Sequence, residues 1–210
     1  MNILKPRKNS NLEKKERLLE EIQDEELMNL QIENTSLENI EIYDVKFETL
    51  KLVNIEIINS KLEKNTFSDI TFENCNFSNT SFENSIFIRC EFINCKMTGS
   101  NFIDARLYNV SFIEINLNYA NLSTTSMENV LFKNTGLRNS NFQENSLKNI
   151  YFERADLTQA VINKTSLKNI DLSDSIIEGI VVSIDDVRGA IINQFQAVDL
   201  LYLIGVKIKM

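Results

Sequence analysis

The side chains that could perform chemistry in this chain are limited in kind. Its 210 residues include no His, three Cys and 30 Asp or Glu against 22 Lys or Arg, for a net charge of −8. Without His there is no common general base and no Ser–His or Cys–His nucleophile pair. Three Cys without a CxxC pair offer no zinc site. We therefore expect no enzymatic activity, no catalytic residue, no metal and no cofactor, and the abundant carboxylates point instead to recognition of a basic partner.

These carboxylates are placed by a repeat of five residues. Every fifth residue from Ile32 to Ile192 is Phe, Leu, Ile, Met or Val, and every Phe except Phe195 lies in this frame. A five-residue step would wind around an α-helix and would alternate between the two faces of a strand. The chain must therefore turn a corner every five residues, with each in-frame residue, called the centre below, pointing to a shared axis. Stacked repeats of this kind form a solenoid with one continuous core.

Two further positions complete the repeat. The residue two before each centre is small or aliphatic, as at Cys75, Thr80 and Ser85, and it is expected to fill the core between the large centres. The residue two after the centre is often Asn, as at Asn74 and Asn79. Asn tolerates turn conformations and bonds to nearby backbone groups, so these residues are predicted to form the corners and to stack in ladders.

A second period of 20 residues is nested within the first. At intervals of 20, the position two before the centre is apolar in one series and small or polar in a neighbouring series. Four five-residue sides per coil explain this alternation, and residues 30–192 then form about eight coils spaced as neighbouring strands are. The apolar series is Leu50, Ile70, Cys90, Val110, Val130, Ile150 and Ile170; the polar series is Asn65, Ser85, Ala105, Thr125, Asn145 and Thr165.

The repeat resembles that of pentapeptide-repeat proteins, with the A(D/N)LXX-type motif in a Phe-rich form, in the run TFENCNFSNTSFENSIFIRCEFINCKMTGSNFIDARL. The resemblance covers residues 30 to about 192 and implies an all-β solenoid, a right-handed quadrilateral β-helix. Within this family the chain is similar to the Qnr and MfpA group. That likeness implies a dimeric rod that imitates duplex DNA, binds DNA gyrase or topoisomerase IV and protects them from quinolones. The unbroken frame leaves no room for the projecting loops of Gram-negative Qnr proteins, and the chain departs from them there.

Charge is unevenly distributed among the four predicted sides. One side has seven carboxylates against three cations, a net charge of −4. We predict that this side, called the acidic side below, steers the rod toward a basic partner surface; ordinary solubilising surface is the alternative. Its centres are Phe72, Phe92, Phe112, Phe132 and Phe152, and its cations are Lys51, Lys133 and Arg154. The candidate partner-binding residues on it are Glu73, Glu91, Glu114, Glu153, Asp171 and Asp174, and Glu33 is the seventh carboxylate.

Outward-facing apolar residues form a second candidate surface. They directly follow centres in the middle coils, and together they make a predicted apolar belt. Single apolar residues are common on protein surfaces, but a contiguous group marks a partner site. The alternative function is therefore an interaction scaffold that binds another protein through this belt. Its residues are Ile88, Ile93, Ile103, Tyr108 and Ile113.

Residues 1–29 are predicted to be a tail followed by an N-terminal capping helix. Residues 1–9 are expected to be mobile, and Ser10 or Asn11 would cap the helix. The helix would cover the open first coil of the solenoid, or it would bind a partner. Its apolar stripe consists of Leu18, Leu19, Ile22 and Leu27.

Residues 193–210 are predicted to be a dimerisation segment. The frame weakens before them, where Asp185 falls at an inward position, and a short amphipathic helix ending at Gly205 follows. Apolar residues alternate with Lys over residues 206–210, as in a strand. Both elements resemble the segment through which Qnr-type proteins dimerise, and their apolar density favours a two-fold homodimer over a cap within one chain. The predicted dimerisation residues are Phe195, Val198, Leu200, Leu201, Tyr202, Leu203 and Ile204.

The chain is thus predicted to contain one repeat domain, residues 30–192, with additions at 1–29 and 193–210. No apolar run reaches the length of a signal-peptide core or a membrane span. We therefore expect a cytoplasmic protein that binds neither membranes nor, given its acidity, nucleic acid directly.

Overall fold

The computed structural model describes residues 3–7, 9, 11–16, 18–21 and 25–206. Parallel strands stack in it as a four-sided β-solenoid, which confirms the predicted fold class. The strands are β1 (Glu13–Lys15), β2 (Glu26–Met28), β3 (Leu30–Glu33), β4 (Ser36–Glu38), β5 (Glu41–Tyr43), β6 (Lys46–Val53), β7 (Glu56–Ile58), β8 (Lys61–Glu63), β9 (Thr66–Glu73), β10 (Ile86–Ile93), β11 (Arg106–Ile113), β12 (Ser126–Lys133), β13 (Ser146–Glu153), β14 (Val161–Ile162) and β15 (Val181–Val182). The main sheet has the order β1-β3-β6-β9-β10-β11-β12-β13, with β2 also paired to β6. The pairs β4–β7, β5–β8 and β14–β15 form small sheets.

Each repeat turns its corner at a single residue in the left-handed backbone region. From Asn29 to Asn169, every fifth residue has a positive φ, between 50° and 69°. These are the positions two after the centre, so their predicted corner role is confirmed. Asn adopts this region with less strain than most residues, and it also forms the predicted ladders, as between Asn94 Nδ2 and Asn74 Oδ1 at 2.7 Å.

The core is built from columns of residues spaced 20 apart. Phe72 pairs in register with Phe92, which pairs with Phe112. Their rings stack, with centroids 4.3 Å apart for the first pair and 5.1 Å apart for the second. The positions two before the centres, such as Ser85 and Cys90, are fully buried between the columns. Both predicted inward positions therefore line one continuous core.

One corner of each coil differs from the other three. Strands β6 and β9–β13 are eight residues long because they run through this corner, whereas the other sides have shorter strands or isolated bridges. We call this column the continuous corner; it separates the acidic side from the side whose centres include Phe67 and Phe87. Its left-handed residues are Asn29, Thr49, Asp69, Arg89, Asn109, Asn129 and Asn149.

The N-terminal segment does not form the predicted capping helix. Its described residues form strand β1, a 3-10 helix (Leu19–Glu21) and strand β2. Strand β1 pairs with β3, so its backbone bonds the N–H and C=O groups at the open edge of the first coil. A helix could not form these bonds, because its own backbone groups are bonded within the helix. Leu18 and Leu27 of the predicted stripe are buried in the core, while Ser10 and Ile22 lie outside the described residues.

The C-terminal segment contains the predicted short helix. Helix α1 (Ile184–Val187) replaces a regular repeat around Asp185, and α2 (Ala197–Leu200) continues into a 3-10 helix (Leu201–Ile204). Gly205 ends it with a φ of 71°, as expected for a left-handed stop. Of the predicted strand, residues 207–210 lie outside the described residues. No helix in the described part of the chain has both the length and the apolar character needed to cross a membrane.

Gln196 closes the last coil, a role that the sequence pattern did not reveal. Its side chain is buried, and Nε2 donates to the carbonyl oxygens of Leu172 at 2.8 Å and Ser175 at 2.7 Å. Leu200 and Leu203 pack against the core beside it. The segment thus bonds carbonyl groups that the end of the solenoid would otherwise leave unpaired.

Replacing Asn139 tests the corner conformation. Asn139 is exposed and has a φ of 55°, so Asn139→Val should lower the free energy of unfolding by about 1–2 kcal/mol. Asn139→Gly should change it by less than about 0.5 kcal/mol, because Gly adopts positive φ freely. Urea denaturation followed by circular dichroism measures both. Gln143→Val, at a position outside the positive-φ series, is the control, and an equal loss there would contradict the explanation.

Candidate binding surfaces

The predicted partner-binding carboxylates lie on one side of the rod but do not form a continuous patch. The column that contains Glu73 continues through Ile93, Ile113 and Lys133 before it reaches Glu153. Two half-buried isoleucines of the predicted belt therefore separate the carboxylates of this column. The acidic side is thus mixed in character along its length.

Half of these carboxylates have cationic partners. Glu114, Asp171 and Asp174 are exposed and form no ion pair within the described ranges of the chain. In the three paired carboxylates, the neighbouring cation cancels most of the long-range field. The uncompensated acidity of this side therefore shifts toward its C-terminal end. The pairs are Lys51–Glu73 at 3.0 Å, Lys133–Glu153 at 3.2 Å and Lys5–Glu91 at 3.2 Å.

The cation at Glu91 belongs to the N-terminal tail, which was expected to be mobile and whose described residues form defined contacts with the rod. Residues 3–7 and 9 lie along the continuous corner, because their N–H groups and cations meet carboxylate and amide oxygens there. Two sequence signals point to this contact: a basic tail on an acidic chain, and Asn9, which stands 20 residues before a corner Asn. The contacts join Leu4 N to Asn109 Oδ1 at 3.2 Å, Arg7 N to Asp69 Oδ1 at 2.9 Å, and Asn9 Nδ2 to Asn29 Oδ1 at 3.1 Å.

Asp69 is the most buried carboxylate at this corner, with 3% of the residue exposed. Its oxygens accept hydrogen bonds from Arg89 Nε and a second guanidinium nitrogen, each at 2.6 Å, and from Arg7 N. Burial acts to raise the pKa of Asp69, but the bonds from Arg89 and the Arg7 amide outweigh it and hold the pKa below its ordinary value of 3.8. Asp69 is therefore a fixed negative charge under the tail, which the period-five pattern did not single out.

The predicted apolar belt is divided among three sides of the rod. Ile88 pairs in register with Tyr108, and Ile93 pairs with Ile113. Ile103 lies on another side, where the equivalent positions one coil away are Glu83 and Ser123. All five residues are half-buried. The structure therefore joins them as two pairs and one separate residue.

The predicted dimerisation residues divide into an inner and an outer set. Leu200 and Leu203 pack against the core, and Leu201 is half-buried. The outer set lies on the end of the rod and is at least half exposed, although the Tyr202 hydroxyl donates to Ile180 O of the last coil at 2.7 Å. Its exposed fractions are 78% for Phe195, 53% for Val198, 50% for Tyr202 and 63% for Ile204.

Two unpaired carboxylates neighbour this apolar end. Asn193 Nδ2 donates to Ser173 O at 2.7 Å, so the C-terminal segment is bonded to the backbone between Asp171 and Asp174. Ser173 also donates its N–H to Asp171 Oδ1 at 2.9 Å, and its bonds hold the pKa of Asp171 below the ordinary value. Acidic and apolar groups thus meet at the same end of the rod.

No group of three or more His, Cys, Asp or Glu side chains in the described parts of the chain could hold a metal ion. The three Cys residues are buried and free. Cys75 N donates to Cys95 Sγ at 3.4 Å, as their positions one coil apart predict. The candidate surfaces therefore offer charged, amide and apolar groups for binding.

The family comparison agrees with this geometry. The model of the pentapeptide repeat region matches residues 85–162. This segment is a pentapeptide repeat region. The predicted resemblance to pentapeptide-repeat proteins is thereby confirmed for this segment, and corners spaced by five residues continue beyond it, from Asn29 to Asn169. The comparison with curated proteins found no match.

Solved structures of other proteins are similar to the chain at low identity. A trypsin-treated form of QnrB1, a plasmid-mediated fluoroquinolone resistance protein, is 20% identical, with 83% of this chain and 99% of that chain covered and a TM-score of 0.41. HetL, a pentapeptide repeat protein involved in heterocyst differentiation regulation in the cyanobacterium Nostoc sp. strain PCC 7120, is 14% identical, with 80% and 90% covered and a TM-score of 0.42. A pentapeptide repeat protein of the Arabidopsis thaliana thylakoid lumen is 22% identical, with 55% and 70% covered and a TM-score of 0.23.

Asp69→Asn tests the charge beneath the tail. The amide can still accept a bond from Arg7 N, so the variant chiefly removes the charge, and it should be less stable than the wild type by about 1–3 kcal/mol at pH 7. Because the folded-state pKa is lowered, the stabilisation is complete above the unfolded-state value near 3.8 and is lost as pH falls through the folded-state pKa. Urea denaturation at several pH values should therefore show the difference shrinking in acid.

Asp104→Asn is the matched control, since Asp104 is an exposed corner residue. It should cost less than about 0.5 kcal/mol at pH 7. A deficit for Asp69→Asn that persists unchanged at pH 2.5 would contradict a charge-dependent role.

Proposed function

We propose that this protein is a non-enzymatic, homodimeric binding rod that engages DNA gyrase or topoisomerase IV and protects it against quinolones. The partner class comes from the resemblance of the repeat to the Qnr and MfpA group. The observation that carries the proposal is the position of Asp171 and Asp174 beside the exposed apolar end of the rod. The interiors of the coils are filled with packed side chains and the surfaces are charged. Both features favour a binding function over catalysis.

The apolar end supplies the dimer contact. Phe195, Val198 and Ile204 are each more than half exposed, and one coil end has no further surface with which to cover them. A two-fold contact buries the same patch on both protomers, so each exposed side chain gains a partner from the other copy. Burying such side chains contributes roughly 1.5–3 kcal/mol each before the cost of association.

The dimer concentrates acidity at its middle. Joining two rods at their C-terminal ends brings both copies of Asp171 and Asp174 beside the joint, where no described cation pairs with them. The field of Glu73 and Glu153 is weakened by their lysine partners. A basic protein surface that binds DNA would therefore be attracted most strongly to the centre of the double rod.

A supercoiling assay tests this function. Full-length protein added to DNA gyrase should preserve supercoiling at a fluoroquinolone concentration that otherwise inhibits it. The double variant Asp171→Asn with Asp174→Asn should need about tenfold more protein for half-maximal protection, equivalent to about 1.4 kcal/mol of binding energy. Asp44→Asn with Asp104→Asn removes two exposed corner carboxylates from the opposite side of the rod and should leave protection unchanged.

Failure of the wild-type protein either to bind gyrase and topoisomerase IV or to protect them would refute the proposed function. Equal losses in the two double variants would show a general charge effect and reject the acidic end as the site. If binding instead required Ile93 and Ile113, which are adjacent in register, the scaffold function of the apolar belt would replace the acidic-end mechanism.

Sedimentation velocity tests the dimer. Phe195→Asp with Val198→Asp places two charges in the proposed contact and should convert a dimer into a monomer at micromolar concentration. Tyr119→Asp is the control, since Tyr119 is 65% exposed on a corner far from the C-terminal end. A wild-type monomer, or an unchanged dimer in the double variant, would reject the assigned interface.

A further inference from the structure

The continuous corner already holds an extended peptide, the chain's own tail. Its contacts run from Leu4 at Asn109 to Asn9 at Asn29, across four coils of 20 residues. Five residue steps of an extended chain span about 17 Å, and four coils at the strand spacing span about 19 Å. The tail is therefore nearly fully extended, and it lies along the rod rather than as an added strand.

The contacts of the tail select two features of a ligand. Asp69 and Asn109 accept main-chain N–H groups, which any extended peptide offers. Glu91, whose side chain is 13% exposed, selects a cation, here Lys5 at 3.2 Å. The corner therefore fits an extended segment with Lys or Arg at one defined place.

Two corner residues under the tail, Asp69 and Arg89, differ from the Asn corners beyond it. Asn149 Nδ2 donates to Asn129 Oδ1 at 2.9 Å, so an Asn ladder largely pairs its own amides. Asp69 and Arg89 replace that ladder with an ion pair, and Asp69 Oδ1 has a further lone pair that accepts from Arg7 N. Without a ligand, the nearly buried Asp69 would lose that bond and Glu91 would lose its cation, both at a cost in free energy.

The tail does not fill the space beside it. A cavity of about 740 Å³ lies between tail and rod, with Pro6, Thr71, Glu73 and Ile93 in its lining. Walls that combine carboxylates with aliphatic groups suit Lys and Arg, whose long stems are apolar and whose ends are charged. A ligand with larger basic side chains could therefore make contacts that the tail does not.

We propose that the continuous corner at Asp69 and Glu91 is a binding site for an extended basic segment of a partner protein, and that residues 3–7 occupy it until this segment displaces them. A tethered tail competes at an effective concentration in the millimolar range, so it sets a threshold for the partner. Glu91 lies four coils from Asp171, so the site is separate from the acidic end and does not depend on topoisomerase binding.

Peptide binding to full-length variants tests the proposal. The probe is a fluorescein-labelled synthetic peptide with the sequence of residues 1–9, titrated with protein and followed by fluorescence anisotropy. Lys5→Glu with Arg7→Glu should release the tail by repulsion from Glu91 and Asp69. Lys96→Glu with Lys168→Glu is the control, because it makes the same charge change at exposed residues away from the tail.

The released variant should bind the peptide at least tenfold more tightly than the control variant. Adding Glu91→Gln to the released variant should then weaken binding about tenfold, whereas adding Glu114→Gln, the same change on the same side beyond the tail, should have little effect. Circular dichroism should show an intact fold in every variant, since Lys5 and Arg7 are exposed and Glu91→Gln keeps the size of the side chain.

Two results would overturn the proposal. One is equal affinity of the peptide for the released and control variants, which would mean that the tail does not compete for the site. The other is binding that Glu91→Gln leaves unchanged, which would place the peptide elsewhere on the acidic surface. Neither result bears on gyrase protection, which the supercoiling assay measures separately.

Discussion

The left-handed residue at the end of every repeat is the constraint on which the rest of the structure depends. One such residue in every five turns the chain through a corner, so the centres and the residues two before them all point inward. For most residues this conformation carries strain, and Asn accepts it with less because its short polar side chain bonds locally. The stacked core compensates for that strain, since each coil buries several large apolar side chains.

The same geometry determines the electrostatics of the surface. Residues 20 apart stand one coil from each other, at about the spacing of neighbouring strands, so opposite charges at this separation form ion pairs. Apart from the nearly buried Arg89–Asp69 pair, these pairs are exposed and add little stability, but they cancel charge within a column and confine the net acidity to columns without cations. The pairs are Lys46–Glu26, Lys61–Glu41, Arg89–Asp69, Lys133–Glu153, Lys148–Glu128 and Lys164–Glu144.

The fold could be predicted where the five-residue period holds, and only in part at the two ends of the chain, where the C-terminal helix was predicted correctly and the N-terminal helix was not. The coils, corners and core could be predicted because each repeat reports the same environment, as the Phe72 column illustrates. The N-terminal helix was wrong because charged helix formers suggested local structure, whereas pairing with β3 decided the outcome. The role of Gln196 could not be predicted, since it depends on tertiary geometry without any repeated signal. The basic tail and the 20-residue spacing of Asn9 from Asn29 hinted at a tail contact, but they could not identify its partners; Leu4 and Asn109, for example, are 105 residues apart.

The tail binds at the continuous corner because Asp69 and Arg89 interrupt the column of Asn residues there. Where Asn occupies successive corners, the side-chain amides bond one another, and the described residues of the tail contact only Asn109 at the near end of the ladder from Asn109 to Asn149. Asp69 and Arg89 break that column with a bidentate ion pair whose carboxylate has capacity for a further donor. At this corner the side chains of the rod leave one acceptor of Asp69 free, and the N–H group of another peptide segment binds to it. The charged pair that interrupts the repeat, rather than the repeat itself, gives this part of the rod its capacity for recognition.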